Sequence, residues 1–201
     1  MIRRIVLFAL VGLLALTVLG CAKKVVTRIS TEEVVDLSGR WNDTDSRLVS
    51  EEMIRDALSD TWLTDYMTTY GKNPTVIVGA IKNLSGEHIA TGTFVGDIER
   101  EFVNSRKVEV VASREEREGI RDEREDQQAN ASIETLKDFG REHGADYMLI
   151  GKINAIEDVE KKEKIVFYQV DLTLTDIETN EKVWLGQKKI KKYVARARYT
   201  Y

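Results

Sequence analysis

Apolar residues run almost unbroken from Ile5 to Leu19, behind Arg3 and Arg4 and ahead of Gly20-Cys21. Beyond that run they recur at spacings that switch between helix and strand. Val34 to Gly39 reads as a short extended piece, ended by Gly39 and by Asn42-Asp43-Thr44-Asp45, a cluster rich in helix N-cap candidates. A helix follows from about Asp45, because Val49, Met53 and Ala57 fall at i, i+4 and i+8 while Ile54, Leu58 and Trp62 widen the stripe; it stops near Tyr70-Gly71. Pro74 opens a strand, and the nearly continuous apolar stretch Thr75 to Ile81 marks it as central to a sheet. After a loop at Asn83 to Glu87, Phe94, Ile98 and Phe102 predict a second helix ending near Ser105, and Lys107 to Ala112 predicts another strand.

Ser113 and Glu116 form a capping-box pattern opening a charged helix to about Gln128, whose few apolar residues, such as Ile120, predict an exposed and loosely held element. A further helix from about Ser132 carries Ile133, Leu136 and Phe139 and ends at Gly144. Tyr147 to Ile153 is a third core strand, followed by a loop of mixed charge at Glu157 to Lys164. From 165 to 175, Val166, Tyr168, Val170, Leu172 and Leu174 alternate with Gln169, Asp171, Thr173 and Thr175, the pattern of a half-buried antiparallel strand. A turn at Glu178-Thr179-Asn180-Glu181 leads into a partner strand from Lys182 to about Tyr193 that carries Trp184.

The apolar run at the amino terminus has the three zones of a secretory signal and is too short for a stable span. Val18-Leu19-Gly20-Cys21 is similar to the lipobox cut by the lipoprotein signal peptidase. Cys21 is the sole cysteine, so a thioether to diacylglycerol and acylation (palmitate) of the new amino terminus account for a thiol that has no disulfide partner. Acyl chains hold firmly, at roughly 0.8 kcal/mol per buried methylene. Ala22, rather than an aspartate, follows the cysteine, which favours the outer membrane, facing the periplasm. The expected organisation is a signal peptide (1–20), lipidated Cys21 with a short linker (21–33), one domain (34–194) and a basic aromatic tail (195–201). That linker spans at most ~40 Å fully extended.

Without its leader the chain keeps 28 of its 30 basic residues against 34 acids, a net charge of −6 that points away from nucleic acid. Only His88 and His143 are histidines, with no further cysteine to complete a metal site, and no GxSxG elbow, P-loop or GxGxxG occurs. Glu115, Glu116, Glu118, Asp122, Glu123 and Glu125 read as a solvated helix face rather than an acid/base pair. No catalytic, cofactor or metal site is expected. The tail residues Tyr193, Arg196, Arg198, Tyr199 and Tyr201 are candidates for partner contact, since Arg and Tyr are enriched in interfaces.

Gly144-Ala145-Asp146-Tyr147-Met148-Leu149-Ile150-Gly151-Lys152-Ile153, with Tyr168 to Leu174, Glu178-Thr179 and Val183-Trp184, resembles the LpoB-type outer-membrane lipoproteins that activate penicillin-binding proteins. The same core is similar to the curli-secretion lipoprotein and to the amino-terminal domain of TolB. With the elements above, the resemblance implies an α+β fold: one small mixed sheet of about four to five strands, flanked by about four helices and ending in an antiparallel hairpin. It implies a non-enzymatic lipoprotein that binds a bifunctional peptidoglycan synthase and stimulates it. Asn180 stands where the family usually has Gly, and Asn also tolerates positive φ. Two alternatives remain open: a structural subunit of an outer-membrane assembly or secretion apparatus, and a periplasmic module binding a small ligand or glycan, which needs a concave apolar pocket.

Overall fold

The computed structural model describes residues 25–130 and 144–195. The expected signal peptide, Cys21, the helix after Ser132, His143 and the tail residues Arg196, Arg198, Tyr199 and Tyr201 lie outside the described residues. The chain divides into two compact units, one up to Glu33 and one from Val34 onward. Of the first, the described part is an exposed stretch whose only regular feature is a turn at its end, where the Glu33 N–H donates to the Ser30 carbonyl at 3.2 Å.

The second unit has the expected α+β architecture. Its described elements run α1 (Asp43–Ala57), α2 (Thr61–Tyr70), β1 (Thr75–Asn83), α3 (Thr91–Ser105), β2 (Glu109–Val110), α4 (Arg114–Asn130), β3 (Tyr147–Glu160), β4 (Glu163–Asp176) and β5 (Lys182–Ala195). The strands form one mixed sheet in the order β2-β1-β3-β4-β5. β1 pairs in parallel with β2 and β3, whereas β3, β4 and β5 form an antiparallel meander.

Strand periodicity decides which face carries the core. On β4, Val166, Tyr168, Val170, Leu172 and Leu174 are at most 1% exposed, and they join Val76, Val78, Leu149, Ile153 and Trp184 on the same sheet face. Helices α1 and α3 cover that face with Val49, Met53, Ile54, Phe94, Ile98 and Phe102. Each such aliphatic or aromatic side chain stabilises the fold by about 1.5–3 kcal/mol through removal from water. Two glycines within the sheet allow close approaches. A Cβ on Gly151 would run into the Leu172 side chain, and one on Gly186 into the Trp184 indole.

Several expectations are corrected. The helix expected from Asp45 to Tyr70 is two helices: Leu58 and Ser59 leave the first, and Asp60 caps the second by accepting from the Trp62 N–H at 3.4 Å. The short extended piece expected over 34–39 gives way to a bend from Leu37 to Arg40, where Ser38 Oγ accepts from the Arg40 N–H. The strand expected over 107–112 shrinks to Glu109–Val110. The expected loop from Glu157 to Lys164 is mostly strand, because β3 and β4 pair out to Glu160 and Glu163 and turn at Lys161, where φ is +54°. Its charges resemble a loop in sequence, yet they pair across the ladder, as Lys164 does with Glu157 at 2.8 Å. Tyr193, at the end of the expected partner strand, lies within β5 opposite Ile165, and the strand continues to Ala195.

Candidate interaction surface

Among the described residues no cluster of His, Cys, Asp or Glu could hold a metal, and no helix is long and apolar enough to cross a membrane. His88 is exposed in the loop after β1. Three groups of side chains define what the surface can do.

The first is a polar knot at the start of α1. Asn42 and Asp45 form a reciprocal capping box, with both side-chain-to-backbone bonds at 3.0 Å. Asp45 also receives Lys192 of β5 at 2.6 Å, and Lys192 in turn holds Asp36 at 2.6 Å and the Arg40 carbonyl at 3.2 Å. Burial alone would push the Lys192 ammonium down, but its hydrogen bonds to Asp36 and Asp45 outweigh that and hold it above the ordinary lysine value. Beside it, the Trp41 indole stands edge-on to Phe94 and Tyr168, at 5.9 and 5.5 Å, while its backbone N–H donates to Glu87 at 3.2 Å. Burial, with a bond to Glu87, raises the Tyr168 phenol far above its usual value. Such a knot is scaffold: it ties the segment before α1 to the last strand.

The second group is aromatic. Trp62 and Tyr66 of α2 meet Tyr147 of β3 edge-on at 5.2 and 5.6 Å, and Tyr70 stacks tilted on Tyr66 at 4.5 Å. Burial and then a bond to Asp146 raise the Tyr66 phenol. Tyr70 itself is 63% exposed, so this cluster runs from core to surface.

The third is the sheet face turned away from α1 and α3. Register places Met148 and Ile150 of β3, Thr173 of β4 and Leu185 of β5 side by side, and farther along Ile156, Phe167, Lys191 and Tyr193. Leu185, Ile156 and Tyr193 are each more than 60% exposed. The Tyr193 hydroxyl donates to Glu163 at 2.8 Å, which raises its phenol above the ordinary value. Between the two patches, on the same face, the Asp171 carboxylate accepts from Gln169 at 3.0 Å and Gln187 at 2.9 Å and lies 4.0 Å from Lys152, so apolar, aromatic and charged side chains interleave here, a composition suited to binding. The tail candidates Arg196, Arg198 and Tyr199 lie outside the described residues, so only Tyr193 is placed. Sequence reading missed Ile150 and Leu185: an apolar strand such as Tyr147 to Ile153 looks buried on both faces, and only the sheet shows which side chains emerge.

Residues 45–190 match the family model described as peptidoglycan-synthase activator LpoB. No curated protein matches the chain. Among solved structures, the LpoB C-terminal domain from Salmonella enterica is 13% identical, with a TM-score of 0.38, 74% of this chain and 99% of that one being covered. E. coli LpoB is 12% identical with a TM-score of 0.41, over 89% and 84% of the two chains. The lipoprotein GNA1162 from Neisseria meningitidis is 13% identical with a TM-score of 0.38, over 63% and 88%. The family match, which spans the domain from α1 through most of β5, carries the assignment: the chain belongs to the LpoB family of peptidoglycan-synthase activators.

Proposed function

We propose that this protein is a lipid-anchored, periplasm-facing regulator that binds a bifunctional penicillin-binding protein and raises its glycan-polymerising and crosslinking activities without performing catalysis itself. The observation that carries this reading is the family match over residues 45–190. The binding character of the exposed sheet face supports it, since apolar Ile150 and Leu185 and basic-aromatic Lys191 and Tyr193 offer contact area and no reacting group. Contact through Tyr193, extended by Arg196, Arg198 and Tyr199, is part of the proposal.

Anchoring rests on Val18-Leu19-Gly20-Cys21, and Ala22 directs the protein to the outer membrane. Residues 22–33 then tether the domain within ~40 Å of that surface at ~3.3–3.6 Å per residue.

The test is reconstitution of the cognate synthase with and without this protein. A rise in the rate of glycan polymerisation on lipid-linked precursor is expected; absence of both binding and stimulation would refute the reading. Metabolic labelling with a palmitate analogue, lost in Cys21→Ala, tests the anchor separately.

A further inference from the structure

The described part of the first unit leaves apolar side chains in water. Val25, Val26 and Ile29 are each more than half exposed, Val26 to 82%. A single exposed aliphatic residue is ordinary, but three within five positions concentrate apolar area. The charges beside them are all of one sign. Lys23, Lys24 and Arg28 are the charged residues between Cys21 and Ser30, and the acids Glu32, Glu33 and Asp36 come only after them, with no basic residue between Ser30 and Gly39. The backbone marks the same boundary: Ser30 Oγ accepts from the Glu32 N–H, and the Ser30 carbonyl from the Glu33 N–H, each at 3.2 Å.

An anionic phospholipid surface matches the stretch before that turn on both counts. Each lysine or arginine near such a surface favours the adsorbed state about fivefold, and aliphatic side chains are stabilised at the boundary between headgroups and acyl chains. The first lysine stands two residues after Cys21, so a lipid on that cysteine already holds the segment at the surface. High effective concentration then replaces intrinsic affinity, and an attraction too weak to recruit a free protein suffices. Ile29 lies at most ~28 Å from Cys21 along a fully extended chain, so a protein occupant would have to work against the headgroup layer itself.

We infer that residues 23–29 form a second membrane contact, lying along anionic phospholipid headgroups with Lys23, Lys24 and Arg28 on the phosphates and Val25, Val26 and Ile29 at the acyl boundary. The inference rests on the lipid anchor proposed at Cys21. With this strip adsorbed, the free tether shrinks from ~40 Å to the acidic stretch after Ile29, about 15 Å at ~3.3 Å per residue. Glu32 and Glu33 keep that stretch off the same surface by like-charge repulsion. The reach of the domain then depends on the lipid composition beneath it.

The experiment uses full-length lipidated protein in phosphatidylcholine vesicles, with and without about one third of phosphatidylglycerol. An environment-sensitive fluorophore is attached at Val26→Cys, since a thioether leaves no free thiol at Cys21. The comparison is Leu37→Cys, at a position 92% exposed beyond the turn. Anionic vesicles are expected to shift the Val26→Cys emission to the blue and to raise its quenching by a headgroup-level spin-labelled lipid severalfold over neutral vesicles, without a change at Leu37→Cys. Salt near ~1 M should return the signal to its neutral-vesicle value. The combined variant Lys23→Glu, Lys24→Glu and Arg28→Glu should lose the shift and still float with the vesicles. Quenching that is indifferent to the anionic lipid, equal at both labelled positions or unchanged in the charge-reversed variant would overturn the inference while flotation upheld the anchor. Failure to float with either vesicle would overturn the anchor and the strip together.

Discussion

The Lys192 ammonium of β5, 9% exposed, lies 2.6 Å from the Asp45 carboxylate in the first turn of α1, which is 8% exposed. The last strand and the first helix are thereby joined across nearly the whole sequence. Removing one member of a buried pair leaves the other without compensation, which costs about 3–5 kcal/mol when burial is complete. Asp36, the second partner, is 46% exposed, so Lys192→Met should cost about 2–3 kcal/mol. The raised ammonium fixes the sign with pH. Its contribution is complete below the ordinary lysine value and fades as pH rises through the higher folded value. Denaturant unfolding of both proteins from neutral to strongly alkaline pH should show a constant gap that closes only at the alkaline end.

Tyr147 offers a second pH test. Burial, reinforced by Asp176 and Asp146, pushes its phenol up to about 12. The unfolded chain ionises first, near pH ~10, so stability is full below that pH and declines between about 10 and 12, by about 2–3 kcal/mol for this residue. Tyr147→Phe should be close to wild type at neutral pH and lose less stability over the alkaline window, read as the difference between the two proteins' unfolding free energies.

Gly186→Ala should destabilise by about 1–3 kcal/mol, because the new methyl group falls on the Trp184 indole and approaches Met53 Cε to 3.0 Å. Combining it with Trp184→Phe tests the cause. The smaller ring makes room, so the double variant should lose less than the sum of the single losses, by about 0.5 kcal/mol or more. Additive losses would show that Gly186 is required for another reason.

Asn180 holds φ at +64° in the turn between β4 and β5, where the Asp176 carbonyl accepts its N–H at 2.9 Å. Asn180→Gly should change stability little, whereas Asn180→Val should cost about 1–2 kcal/mol from left-handed strain alone. Thermal unfolding of the two variants separates the conformational requirement from any need for the amide side chain.

Much of this fold is legible along the chain, for identifiable reasons. Phe94, Ile98 and Phe102 recur at helical spacing and are all fully buried, and the alternation from Val166 to Leu174 survives intact as the core face of β4. Ser113 and Glu116 cap α4 reciprocally, with bonds of 2.7 and 3.4 Å. The break between α1 and α2 is hidden because Leu58 and Trp62 keep the apolar stripe in phase across it, although Asp60 stood available as a cap. Hairpin length is hidden because cross-strand charge pairs look like loop composition. Which side chains emerge on the sheet face turned away from α1 and α3 depends on strand order, which no local pattern encodes.

The knot around Lys192 also has a mechanical meaning. Because Asp36 is fastened to β5, a pull along the segment that precedes it is not delivered first to α1. The load passes through Lys192 to a strand paired with β4 over nearly its whole length. A domain held from its amino-terminal side would therefore meet traction with a long hydrogen-bonded ladder instead of with a helix end that can unravel turn by turn.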